Sequence, residues 1–224
     1  MKLAVFLITG GSGCGKSTLA NRLQDEYLKK DILTKVIHQD DYFLLPFLPY
    51  SERVDLSYES DQGIDFKKIK SDISINVNLL VNEASIACHD DFKKTDEIVL
   101  IVEGHMIGAA AEMLYDADTY IQKSKHVTSM NIITVIFDTD RETSKKRRLY
   151  RRQRSQKELD ELEHYFDTAV WPGYLKYGRP ALEALRNIPS MDKSSSNITV
   201  LELCASHSIE SHLEKIETIR NTIV

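Results

Sequence analysis

The stretch Gly10-Gly-Ser-Gly-Cys-Gly-Lys16-Ser17 constrains this chain more than any other: a glycine, four residues, a second glycine, then Lys and Ser, with Thr18 next. Leu3 to Thr9 before it is an apolar run with the length of a buried strand, and after it Leu19, Leu23 and Tyr27 recur at helical spacing. In that order, a strand, a glycine turn and a helix form a loop whose backbone N–H groups converge. The convergence needs Gly10, Gly13 and Gly15, where side chains would collide or φ must be positive. The helix adds its unsatisfied N–H groups and the positive end of its dipole, so the expected occupant is a phosphate. Lys16 supplies a mobile charge for the outer phosphates and the Ser17 hydroxyl a ligand for Mg2+.

The chain has 224 residues, enough for one well-buried core. The expected architecture is a single domain over 1–224: an α/β fold with a doubly wound, mainly parallel sheet, flanking helices and a helical lid at about 141–164. Thr34 to Gln39 reads as the second strand, Ile98 to Val102 as the third and Asn131 to Phe137 as the fourth. Ile198 to Leu203 reads as the last. The third looks continuously apolar, as a parallel strand buried on both faces should. Phe66, Ile69, Ile73, Val77 and Leu80 form a helical stripe, and Met106 to Leu114 and Tyr165 to Leu185 also read as helical. Ile209, Leu213, Ile216 and Ile223 mark a terminal helix. Ser85 to Cys88 reads as a short strand, Asp116 to Met130 as a hairpin or loop, and Ser190 to Asn197 as a polar loop.

A net charge of -5 argues against a general nucleic-acid binder. Cys14, Cys88 and Cys204 are odd in number and widely spaced, which fits neither a disulfide framework nor a zinc site. No apolar stretch approaches a membrane span, and the N-terminal run ends in the glycine loop. The expectation is a cytoplasmic setting with no nucleic acid, membrane or obligatory protein partner.

A phosphate loop serves kinases, GTPases and motors alike, so the residues around it decide. The chain lacks the Asn-Lys-x-Asp guanine motif. It carries instead an acid after the second strand, an acid after the third and a basic helix after the fourth, which suits transfer of a γ-phosphoryl group to a small hydroxyl compound. ATP is then the expected donor, wrapped by Gly10, Gly11, Ser12, Gly13, Cys14, Gly15, Lys16, Ser17 and Thr18. Asp40 is the candidate for taking the acceptor proton. The alternative for Asp40 and Asp41 is ordinary turn chemistry. Glu103, at a strand end with Gly104, is placed to bind Mg2+. His105 reads as a satisfied, partly buried histidine.

From Lys145 to Arg154, seven of ten residues are Lys or Arg. The run admits a solvated face, a nucleic-acid patch, or a lid closing over ATP, and the phosphate loop favours the lid. Arg147, Arg151 and Arg154 share one helical face and Arg148 and Arg152 the next, one face for phosphates and one for the acceptor.

Taken in order, Gly10 to Thr18, Gln39-Asp-Asp-Tyr-Phe43, Ile101-Val-Glu-Gly104, Lys145-Lys-Arg-Arg148 and Tyr165 to Tyr177 resemble the nicotinamide riboside kinases. Those kinases belong with uridine kinases among the phosphate-loop nucleoside kinases. The resemblance spans the whole chain. It implies phosphorylation of the 5′-hydroxyl of nicotinamide riboside, or of nicotinic acid riboside, in NAD biosynthesis. It also implies that Asp40 approaches Mg2+ as well as the acceptor, with Ser17 and Glu103 in the metal environment. Phe43 would line the acceptor site, Arg148 would contact the ribose, and Tyr58-Glu59 would stack on the pyridine ring and hold ribose hydroxyls. Glu59 stands where the family usually has Asp. Gln153 stands near the place of a second lid tyrosine, which puts one side of the ring sandwich in question. Cys204-Ala-Ser206 replaces Asp-Gly-Thr beside the adenine. A uridine or cytidine kinase is the alternative on the same scaffold, and a non-catalytic nucleotide-binding regulator is the second.

Overall fold

The computed structural model describes residues 1–46, 48–87, 96–108, 126–186 and 196–223. Five strands, β1 (Lys2–Gly10), β2 (Leu33–His38), β3 (Glu97–Glu103), β4 (Ser129–Asp138) and β5 (Ser196–Cys204), form one sheet in the order β2-β3-β1-β4-β5. Every neighbouring pair is parallel. Parallel neighbours need crossovers, and among the described residues helices cover both faces of the sheet. The order reverses around β1, and in open α/β sheets ligands bind at such a point, outside the carboxyl ends of the strands. The architecture is that of a phosphate-loop α/β fold.

Alternation along β1 divides the core. Leu3, Val5 and Leu7 point to one face, where Ile69, Ile73, Val77 and Leu80 of α2 (Phe66–Ala87) cover them together with Leu182 and Leu185 of α5 (Arg179–Arg186). Ala4, Phe6 and Ile8 point to the other, under Leu19, Leu23 and Tyr27 of α1 (Lys16–Lys29) and Ile216 of α6 (Ile209–Ile223). Two-sided burial is why β1 and β3 read as unbroken apolar runs, while β4 buries Asn131 and Thr134 among its apolar residues. A third, smaller cluster holds Leu149 of α3 (Arg141–Tyr150) against Leu162 and Tyr165 of α4 (Gln156–Tyr165). From α4 the helical path continues through two wide turns, Phe166–Val170 and Tyr174–Gly178, into α5.

The structure corrects four boundaries. Ser85 to Ala87 are helical: the buried stripe of α2 runs on through Val81 and Ala84, so a short apolar stretch belongs to the helix rather than to a strand. Gln39 leaves β2 and opens a 3-10 turn, Gln39–Tyr42. Ser129 and Met130 begin β4, and Ser196 and Asn197 join β5 because Met130 and Asn131 offer them a free ladder. Cys88, most of Met106 to Leu114, 116–125 and 190–195 lie outside the described residues.

Candidate active site

The loop between β1 and α1 takes the shape its glycines permit. Gly10, Gly13 and Gly15 have φ of 147°, 77° and 109°. A Cβ on Gly13 would also stand 2.8 Å from the Ser144 carbonyl oxygen, so the approach of α3 depends on that glycine. No side chain caps the start of α1 and no acid lies in its first turn, which leaves its N–H groups and dipole facing outward. Lys16 is buried and its ammonium donates to the Gly11 carbonyl at 2.9 Å. Ser12 to Thr18 all line a cavity of about 1050 Å³, whereas Gly10 and Gly11 are not among its lining residues.

At the neighbouring strand end, Ser17 Oγ donates to Glu103 Oε1 at 2.9 Å, and His38 Nδ1 lies 2.8 Å from the same oxygen. Burial works to raise the Glu103 pKa, but the His38 hydrogen bond, the Lys16 charge and Ser17 together hold it below its ordinary value. The hydrogen bond to Glu103 raises that of His38 against the cost of burial. The result is an ionised carboxylate beside a hydroxyl, a set of hard oxygen donors that suits Mg2+, an ion that keeps waters and shares ligands with substrate phosphates. Among the described residues no group of three or more His, Cys, Asp or Glu is arranged to hold a metal ion by itself.

Asp40 is exposed and lines the cavity, while Asp41 is not among the lining residues. The 3-10 turn carrying them is anchored by Tyr42, whose hydroxyl donates to Asp72 at 2.8 Å. Gln39, in the same turn, is fully buried. Its Oε1 accepts from the Met106 N–H at 2.9 Å and its Nε2 lies 3.0 Å from His105 Nδ1. Gly104 makes room for it, since a Cβ there would stand 2.4 Å from the Gln39 side chain. Burial pushes the His105 imidazole below its ordinary pKa.

The segment from Phe43 to Asp65 is irregular, as its prolines suggest, and closed at its base by a Phe43–Ile64 bridge and an Asp65 N–H bond to the Tyr42 carbonyl at 2.9 Å. Tyr58 and Glu59 are buried in a 3-10 turn and both line the cavity. Tyr165 donates to Glu59 at 3.2 Å and Arg148 stands 3.8 Å from the same oxygen. The Tyr58 hydroxyl bonds to the Pro46 carbonyl. Its ring face is covered by the Arg53 guanidinium, 4.4 Å from the centroid, which also lies 4.9 Å from the Tyr50 ring and 5.4 Å from that of Tyr165.

The basic run departs from a simple two-faced helix, because α3 ends at Tyr150 and Arg151 and Arg154 follow it. Arg154 folds back to donate to the Leu149 carbonyl at 2.7 Å, and Lys145 and Arg152 pair with acids of the following helix and turn. Arg147 reaches the Ala205 carbonyl at 2.6 Å and the Cys14 carbonyl at 3.3 Å, and Arg148 donates to Ser12 Oγ. Lys146 and Arg151 line the cavity. The run therefore stitches α3 onto the phosphate loop and onto Ala205 and Ser206, which also line the cavity. Gln153 is exposed and does not. Tyr150, an aromatic hidden in the basic run, lines it with 69% of its surface exposed. Tyr150, Arg53, His38 and His105 were not selected from sequence spacing. Only the aromatic character of Tyr150 and its place in the basic run could have drawn notice.

No protein-family model matches the chain. A uridine kinase of Clostridium botulinum (strain Okra / Type B1) is 25% identical over 191 residues, covering 81% of this chain and 85% of that enzyme. One of Clostridium novyi (strain NT) is 26% identical over 137 residues, covering 57% of this chain and 65% of its own length. Among solved structures, a deoxyadenosine kinase from M. mycoides aligns over 100% of both chains at 16% identity with a TM-score of 0.41. The two curated relatives are uridine kinases by name, and neither name points to nicotinamide riboside. Among the described residues no helix is long and apolar enough to cross a membrane.

Proposed function

We propose that this chain is an ATP-dependent nucleoside kinase that transfers the γ-phosphoryl group to the 5′-hydroxyl of a neutral nucleoside of the uridine or cytidine class. One observation carries the reading: a phosphate loop, the Ser17–Glu103 pair and an exposed Asp40 line one cavity whose other wall is the Tyr58–Glu59 turn. The cavity is large enough for two small ligands. In this reading Lys16, the α1 N-terminus, Arg147 and Arg151 hold the ATP phosphates. Ser17 and Glu103, with Asp40 nearby, would hold Mg2+, which when bound neutralises charge between the outer phosphates. Asp40 orients the acceptor hydroxyl and receives its proton as the new O–P bond forms and the bond to the ADP oxygen breaks.

The choice of a neutral base rests on Arg53. The Arg53 guanidinium already covers one face of Tyr58, and a cationic pyridinium stacked on the other face would lie about 8 Å from it, where like charges repel by about 2 kcal/mol at an effective dielectric near 20. The nearby Glu59 does not offset this freely, because Arg148 already stands 3.8 Å from it. A uracil offers carbonyl oxygens to the same guanidinium. The uridine kinase relatives point the same way. Nicotinamide riboside remains a second reading, favoured by the aromatic-acid pair Tyr58-Glu59 on the cavity wall.

The test is a steady-state comparison of uridine, cytidine, nicotinamide riboside and nicotinic acid riboside, each with ATP and Mg2+. A higher kcat/KM for uridine or cytidine is expected. A tenfold or larger preference for nicotinamide riboside would replace the first reading with the second, and failure of all four would remove the assignment. The three scattered cysteines fit a cytoplasmic setting for such an enzyme.

A further inference from the structure

His105 is partly buried, its ring stacked near Phe43 at 6.3 Å between centroids, and it lines the cavity with Asp40 and Glu59, whose charges both reach it. Its two nitrogens differ. Gln39 Oε1 accepts the Met106 backbone N–H, a group that can only donate, and this fixes which end of the amide is oxygen. The other end, Nε2, must then donate to His105 Nδ1, 3.0 Å away. Nδ1 therefore presents a lone pair, and the imidazole carries its proton on Nε2. Nε2 is enclosed and has no hydrogen-bond partner among the described residues. Buried donors are ordinarily satisfied, and one left over inside a residue of the cavity wall calls for an acceptor that reaches it when the side chains of that wall adjust to a ligand.

We infer that His105 is a substrate-reading residue whose Nε2–H, aimed by the Gln39 amide, donates to a ribose hydroxyl oxygen of the nucleoside. The assignment rests on the nucleoside-kinase reading above. Ribose is chosen over the base because the histidine sits with Asp40, next to the reacting hydroxyl in that reading, and with Glu59. Carboxylates can only accept from a sugar hydroxyl when ionised, so a donor beside them completes recognition of a group that both donates and accepts. The imidazole supplies the one polarity the acids lack.

The experiment compares wild type, His105→Phe and His105→Gln on the preferred nucleoside and its 2′-deoxy and 3′-deoxy analogues, with the KM for ATP measured alongside. Phe keeps the packing against Phe43 and removes the donor, while the Gln amide can place an N–H near the original Nε2. The expected result is a fall of about tenfold to a hundredfold in kcat/KM for the ribonucleoside with His105→Phe, through the nucleoside KM. The loss should vanish for the analogue lacking the accepting oxygen, and Gln should recover most of it. An equal loss on all three nucleosides, or none, overturns the inference. So does an 15N spectrum of the wild-type histidines that puts the His105 proton on Nδ1, a measurement needing no variant to fold. A wild-type chain that phosphorylates no nucleoside overturns the nucleoside reading first, and the ribose assignment with it.

Discussion

The two walls of the cavity are built by different physics. The phosphate wall hangs from the ends of β1 and β3, in the middle of a parallel sheet buried on both faces, and its shape is set by backbone: three positive-φ glycines and the start of α1. The acceptor wall is an excursion from Phe43 to Asp65 held by side chains from remote parts of the chain, among them Tyr165 and Arg148 on Glu59. A backbone device gives generic binding of phosphate, while a side-chain mosaic can be retuned one residue at a time. Under the proposed function, reaction class resides in the first wall and substrate choice in the second.

Substitutions can break or sharpen that contrast. The largest effect is expected at the junction: Asp40→Ala should lower kcat by about 10²- to 10⁴-fold while ATP affinity, read by calorimetric titration, stays within about twofold. Near-normal turnover would remove Asp40 from proton transfer and leave the two walls without a shared catalytic group. Next comes stability. Phe6→Ala under the phosphate loop should cost about 3 to 5 kcal/mol in denaturant unfolding. Phe43→Ala on the acceptor wall, where the ring is only partly buried, should cost about 1 to 2 kcal/mol. Equal costs would mean that the excursion is as much a part of the core as β1. A smaller change should follow from Arg53→Ala: relative kcat/KM for nicotinamide riboside over uridine should rise by about tenfold to a hundredfold, and no change would clear Arg53 of any part in base selection. The least effect is expected at the start of α4, where Ser155 accepts from the Glu158 N–H at 3.3 Å. Ser155→Ala should cost about 1 kcal/mol, visible as a Tm lowered by a few degrees, and a full loss of activity there would show that the helix pair governs both walls.

The same contrast explains what could be read without coordinates. Gly10 to Ser17 lies in eight consecutive residues between two elements of clear periodicity, and Glu103 ends an apolar run, so strand, loop, helix and acid were legible locally. Asp40 was legible as an acid at a strand end. Arg53 was not, because it is a single arginine among prolines and aromatics, and its meaning depends on Tyr58 five residues on and Tyr165 far beyond. His105 looked satisfied because a histidine after Glu-Gly has no metal-ligand spacing. Only the Gln39 bond, 66 residues away in sequence, distinguishes its two nitrogens. Spacing alone puts Arg151 and Arg154 on a helical face, whereas the helix ends at Tyr150, since a run of good helix formers carries no mark of where the chain turns. Ser85 to Ala87 failed in the opposite sense, a short apolar stretch whose type is decided by length and neighbours.

Gln39, wedged against Gly104, also bears on how this molecule can be altered. Positions 39, 104 and 105 form a set that changes together: any side chain at 104 evicts the amide, eviction frees the imidazole to invert, and an inverted imidazole offers a lone pair where it had offered a proton. The hydrogen-bonding polarity of the cavity at His105 is thus written behind its wall. A library that varies only the residues facing the cavity would leave it untouched, whereas one that pairs 39 with 104 could reverse it.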